Sequence, residues 1–149
     1  MDVLTVLKQN SRPVCTITDD HSVDDAIKLM TAQKAGALIV TTDDNPTGIF
    51  TEKDVVRCYQ QAGNLAPSEI KLNRVITREF IAAKPTDNPG AVINLMIKSD
   101  IDQLPVIENN KIIGVLALKD LAEFQIDSLH AEIDQLQGYI DDLHQAAQD

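Results

Sequence analysis

The stretch Gly48-Ile49-Phe50-Thr51-Glu52-Lys53-Asp54 is answered 66 residues later by Gly114-Val115-Leu116-Ala117-Leu118-Lys119-Asp120. Working outward, the same register holds back through Val40, Leu38, Met30, Leu29 and Ile27. These recur as Val106, Leu104, Met96, Leu95 and Ile93. The matched positions are mostly apolar or Gly, the types a fold needs. A repeat at fixed spacing is one supersecondary unit built twice, each copy burying its open face on the other. Two such copies also leave two related clefts along their seam.

Composition narrows the class. A chain of 149 residues suits one compact domain or two small lobes sharing a core, with roughly 70% of the unfolded surface buried. Aromatics are 3% of the chain, so the core is aliphatic. The formal net charge is -10, and no Lys or Arg follows Lys119. Such a surface repels phosphate backbones and anionic lipid, so neither nucleic acid nor membrane is the expected partner. Cys15 and Cys58 have no metal or CxxC spacing and fit a reducing compartment. The N-terminus lacks the basic start of a signal peptide, and no apolar run reaches 18 residues. The expectation is a cytoplasmic protein.

Hydrophobic periodicity and turn chemistry order the elements. Residues 2–9 read as a short amphipathic helix. Val14–Ile17 reads as a strand, and Ser22 with Asp25 as the capping box of a second helix. The apolar run Ala35–Thr42 has strand length, Asp43–Pro46 is a turn, Gly48–Thr51 a strand and Glu52–Gln61 a helix. The order returns as strand Phe80–Ala83, helix Asn88–Ser99, strands Gln103–Ile107 and Ile112–Ala117, then a helix from Leu118. Each unit is β-α-β-β-α. The expected organisation is residues 1–62 as N-terminal helix and first unit, 63–76 as linker, 77–125 as second unit and 126–149 as a C-terminal helix.

On these residues (a helix ending in Leu-Met, an apolar strand, a turn, then Gly48–Asp54, with Leu104-Pro105-Val106 and Gly114–Asp120 in the second copy) the chain resembles a tandem pair of CBS domains, a Bateman module, over about residues 1–125. The resemblance implies an α/β (α+β) fold, two pseudosymmetric lobes packed sheet to sheet. It implies a regulatory module rather than a catalyst, binding adenosine compounds in the clefts between lobes. AMP is the leading ligand, with ADP, ATP and S-adenosylmethionine as further candidates. It also implies a homodimer and a regulated protein that the sequence does not name. The family's ribose motif, Gly-apolar-x-Thr/Ser-x-x-Asp, maps onto Thr51 and Asp54 in full. In the second copy it maps only in part: Asp120 is kept but Ala117 replaces the hydroxyl. For the adenine, the resemblance points to Cys15, Thr16, Ile17 and Thr18, with Ile39 and Val40 beside them. Plain core is the competing role for Ile17, Ile39 and Val40.

A carboxylate accepts hydrogen bonds from both ribose hydroxyls, strengthened by its charge. Thr51 and Asp54 are three apart at a helix start, so they share one side of its first turn. A helix N-terminus also attracts phosphate through free N–H groups. Thr51-Glu52-Lys53-Asp54 equally suits a capping box with Asp in the last position, and both roles stay open. Where relatives carry His or Arg before the Leu-Pro-Val strand, this chain has Asp102 and Gln103, and Gly36 and Ala37 in the first copy. Lys53 and Arg57 are the candidate phosphate cations, with a solvated helix face as the competing role. Acid near the cleft favours a ligand of low charge over ATP. The expected outcome is one competent site at Asp54 and a degenerate one at Asp120.

Ile126, Leu129, Ile133, Leu136, Ile140 and Leu143 step 3, 4, 3, 4, 3. Ile at every a and Leu at every d suits a two-stranded parallel coiled coil, while packing on the chain's own lobes would use the same stripe. No catalytic or metal-binding motif occurs. His130 and His144 lie about 20 Å apart by helical rise, too far to share a metal, so no enzyme, metal or cofactor is expected. Two readings follow: an adenine-nucleotide sensor, or a ligand-free interaction protein that dimerises through its CBS lobes and helix.

Overall fold

A computed structural model describes residues 2–10 and 13–148. Along the chain run α1 (Val3–Gln9), β1 (Thr16–Thr18), α2 (Val23–Gln33), β2 (Ala37–Thr42), β3 (Asn45–Thr51) and α3 (Glu52–Gln61). Two 3₁₀ turns follow at Pro67–Glu69 and Leu72–Arg74. Then come α4 (Pro89–Ser99), β4 (Gln103–Glu108), β5 (Lys111–Ala117) and α5 (Leu118–Gln148).

The repeat is visible in fine detail. In the first copy β2 pairs antiparallel with β3, and the register shifts between Val40 and Thr41. In the second, β4 pairs with β5 and shifts between Val106 and Ile107, the same place in the repeat. Both hairpins turn on two residues with positive φ, Asp43-Asp44 and Asn109-Asn110. Asn and Asp tolerate that conformation because their short polar side chains bond locally, and two-residue loops of this hand match the strand twist. Helices α2 and α4 both end on a left-handed residue, Lys34 and Asp100.

Side chains alternate across the strands. Leu38, Val40 and Phe50 point to the helices of the first lobe and join Ala26, Met30 and Leu72 in its core. Ala37, Ile39 and Ile49 point the other way, onto Ile112, Val115 and Phe80 of the second copy. The sheets therefore meet face to face. A strand covered on both faces reads as a continuous apolar run, which is why β2 lacks a polar alternation.

The opening strand of the second copy differs from expectation. β1 pairs parallel with β2 over three residues, and Cys15 O accepts from Ile39 N at 2.9 Å. The counterpart of Ile39 is Pro105, which has no N–H to give. Phe80–Ala83 accordingly forms no strand, only an isolated bridge from Ala83 to Val106. The second sheet has two strands where the first has three.

The units are also interlaced. Helix α1 precedes the first copy but buries Val3 and Val6 in the core of the second, beside Met96, Leu104 and Leu116. Its amides Val3 N and Leu4 N donate to Asp87 O and Pro85 O. In the first lobe the equivalent carbonyls, His21 O and Asp19 O, take Leu72 N and Asn73 N from the linker. The linker 63–76 packs only at its end: residues 63–69 are exposed, Leu72 is fully buried, and Thr77, just beyond, bridges to Ile49. Helix α5 runs unbroken from the second lobe through to Gln148.

Candidate functional site

A cleft of about 260 Å³ opens between the lobes. The first copy supplies Gly36, Ile49 and the start of α3, including Thr51, Lys53, Asp54 and Arg57. The second supplies Thr77 and Glu79–Ile81 on one wall, and Ser99–Gln103 with Pro105 on the other. The lobes approach closely here: a Cβ on Gly36 would lie 2.6 Å from Nε2 at the tip of the Gln103 side chain.

Asp54 is buried, yet its carboxylate is well served. Oδ2 accepts from Thr51 N at 2.8 Å and from Thr51 Oγ1 at 3.2 Å. Oδ1 lies 2.7 Å from Arg57 Nη2. Asp54 N returns a bond to Thr51 Oγ1 at 3.4 Å. The capping box therefore exists as built, and Thr51 both donates and accepts within it. Three donors leave the carboxylate capacity for about one more. The α3 terminus is less open than its sequence suggested: Glu52 N donates to Gly36 O at 3.3 Å, and Asp54 N to Thr51.

Both candidate cations are engaged. Besides Asp54, Arg57 Nη2 donates to Val75 O at 3.2 Å. Lys53 reaches across the cleft to the other copy. Its Nζ donates to Asp100 O at 2.8 Å and to Asp100 Oδ1 at 3.1 Å, and sits 3.6 Å from Asp102 Oδ1. The Asp100 carboxylate, then the charge of Asp102, holds the Lys53 ammonium above the usual lysine range. Five carboxylates (Glu52, Asp54, Glu79, Asp100, Asp102) line the cleft against two cations, so its own charge is negative.

The remaining predicted residues lie elsewhere. Thr16, Ile17 and Thr18 border a separate shallow groove with His21, Asp25 and Thr41. There Thr18 Oγ1 donates to Asp20 Oδ1 at 2.6 Å. Cys15 packs at the edge of the first core. Ile39 and Val40 are buried at 1% and 0% exposure, Ile39 between the sheets and Val40 under the helices, so their positions are those of core residues. The wall that faces Asp54 comes instead from the other copy: Thr77, Glu79, Phe80 and Ile81. No local sequence signal marks this wall, since it follows from the long-range bridge of Thr77 to Ile49, after which the chain leads directly into the second lobe.

Asp120 occupies in α5 the place Asp54 has in α3, and is likewise buried. Ala117, also buried, brings no hydroxyl to the cap. Among the described residues no group of His, Cys, Asp and Glu is arranged to hold a metal, and no helix is long and apolar enough to cross a membrane. Cys15 and Cys58 are free thiols.

Comparison with known proteins agrees with this architecture. The CBS domain family matches residues 6–61 and 72–127, two stretches at the repeat's own offset. The mitochondrial CBS domain-containing protein CBSX3 of Arabidopsis thaliana is 30% identical over 128 residues, 83% of this chain. The chain spans 62% of that relative's length. A putative signal-transduction protein with CBS domains from Burkholderia ambifaria superposes with a TM-score of 0.76 at 28% identity, covering 85% of this chain and 95% of the other. A CBS domain pair solved with 5′-methylthioadenosine and S-adenosyl-L-methionine has the same fold, with a TM-score of 0.74 at 20% identity over 86% of this chain and 98% of that one. With both copies matched in order and in register, the chain belongs to the CBS domain family as a tandem pair, a regulatory module.

Proposed function

We propose that the protein senses an adenosine compound of low charge, AMP ahead of ADP and ATP, in the cleft at Thr51 and Asp54. The observation that carries this reading is Asp54 itself, a buried carboxylate with spare acceptor capacity lining an inter-lobe cleft. A ribose hydroxyl fits that capacity. The apolar wall of Phe80, Ile81 and Ile49 suits a purine face. The low-charge preference rests on the cleft's surplus of carboxylates and on the engagement of Lys53 and Arg57. That a CBS pair of the same fold takes two adenosine ligands supports the ligand class.

Signalling follows from Lys53. A ligand phosphate would compete with Asp100 and Asp102 for this ammonium and so loosen a tie between the lobes. The ligand biases lobe tilt only by its differential affinity for the tied and untied arrangements. The protein then acts as a cytoplasmic homodimer, without catalysis, on a regulated protein.

A second reading has its own support. Thr51, Asp54, Lys53 and Arg57 all have partners within the protein, and among the described residues no buried side-chain polar atom lacks one. A pair that needs no ligand would look the same and would serve as an interaction scaffold. Titration calorimetry with AMP, ADP, ATP and S-adenosylmethionine separates the two. The sensor reading expects AMP to bind more tightly than ATP. Absence of heat or thermal stabilisation with all four at millimolar concentration would leave the scaffold reading standing.

A further inference from the structure

The second half of α5 is exposed along its described length. Leu121 is buried and Phe124 packs on the second core, but every described residue beyond Ser128 is exposed. That leaves about 30 Å of helix in water. Isolated helices of this length are marginal, and most helical stability comes from packing an amphipathic face. The face is present: Ile126, Leu129, Ile133, Leu136, Ile140 and Leu143 are between 47% and 67% exposed. Packing of this stripe on the chain's own lobes, one of the two roles its spacing allowed, is not what the helix does.

We infer that this stripe is covered by the same stripe of a second copy, in a parallel two-stranded coiled coil. Three features select that occupant. Ile at all three a positions with Leu at all three d positions packs well in a parallel pair and poorly specifies trimers. The flanking positions bring no like charges together. In a parallel pair Gln125 would meet His130, Glu132 would meet Gln137, and Tyr139 would meet His144. The acids Asp127, Asp134, Asp141 and Asp142 stand at b and c, away from the seam, and Asp141 already accepts from Gln137 of its own helix at 3.0 Å. A foreign basic helix would find only Glu132 at the seam's edge. The inference rests on no ligand and holds whether or not the cleft binds one.

The test uses the full chain. Sedimentation equilibrium of the native protein and of the double variant Ile133→Asp/Leu136→Asp gives the dimer dissociation constant. Both positions are clear of the lobes, so the lobe cores serve as the folding control. The constant is expected to rise on the order of 100-fold in the variant. Leu129→Cys, mildly oxidised, is expected to form a disulfide between two copies of residue 129. A monomeric native protein, an unchanged constant, or a trimer would overturn the proposal. So would failure of the Leu129→Cys variant to cross-link, the result expected of antiparallel helices. A native chain that stays monomeric and takes up a basic amphipathic peptide would reassign the stripe to a foreign partner.

Discussion

The two helix heads, Thr51–Asp54 of α3 and Ala117–Asp120 of α5, hold the same place in the repeat and differ in chemistry. Both place a buried aspartate at the third position of a helix. The first adds a hydroxyl that closes a capping box; Ala117 cannot. The surroundings diverge too. Lys53 is tied across the lobes to Asp100. At the repeat's offset the same two positions are Lys119 and Lys34, two like charges that cannot form such an ion pair. A duplicated unit keeps what its fold requires and varies what its sites do. Binding should therefore be asymmetric within one chain.

The comparison can be probed at the glycines first. A Cβ at Gly48 would lie 2.8 Å from Ile76 Cδ1 and 2.9 Å from Thr77 O, and the backbone atom has little room to move. The three atoms nearest to a Cβ at Gly114 all belong to the side chain of Leu7. Gly48→Ala is expected to cost about 1–3 kcal/mol through overpacking, and Gly114→Ala less, read by urea unfolding. Equal costs would mean that α1 covers the second copy as rigidly as the linker covers the first.

The caps come next. Thr51→Ala is expected to lose about 1 kcal/mol of stability, the usual worth of an N-cap. Ala117→Thr, which rebuilds the box at Asp120, is expected to shift stability in the opposite direction. A loss in both variants would show that the second corner has no room for a hydroxyl.

A smaller effect separates the charges. Replacing Asp100 and Asp102 by Asn removes two carboxylates from the cleft and leaves Lys53 its bond to the main-chain Asp100 O without an ion pair. Both are exposed and screened, so ATP affinity is expected to rise roughly a few-fold relative to AMP. An unchanged ratio by calorimetry would remove charge as the source of selectivity.

The smallest difference is in acid. Helix α2 opens with Ser22 and Asp25, whose carboxylate accepts from Ser22 N at 3.2 Å. That bond holds the Asp25 carboxyl below the usual aspartate range. A depressed folded pKa gives stability that is present above the unfolded value and lost as pH falls through the folded one. The matching cap on α4 is Asn88, with Ala91 in place of the acid, so no carboxylate closes that box. Below pH 3.8 the amides at the head of α2 should lose hydrogen-exchange protection before those of α4, and Asp25→Asn should remove the difference.

Much of this was legible in the sequence because it is local. Turn residues, caps and apolar runs gave the helices and hairpins close to their observed ends, and Ser22 and Thr51 cap as read. What escaped was carried by long-range pairing. Pro105 sits in a well-formed strand, and its missing N–H acts on a different segment, Phe80–Ala83. Helix α1 lies next to the first copy in sequence but on the second in space. Likewise the Thr51–Asp54 cap was legible, while the wall facing it was sought on the strand of its own copy. The interlacing brings Thr77–Ile81 there instead. Asp100, the partner of Lys53, carries no motif and is found only from its distance.

The central claim is that one chain offers one working adenosine site, at Asp54. Calorimetric titration of AMP into the native protein, Asp54→Asn and Asp120→Asn tests it most directly. Asn keeps the size of the side chain and removes the charge-assisted bonds to ribose. The account predicts one AMP per chain, lost in Asp54→Asn and unchanged in Asp120→Asn. Binding that survives Asp54→Asn, or that disappears in Asp120→Asn, would contradict it.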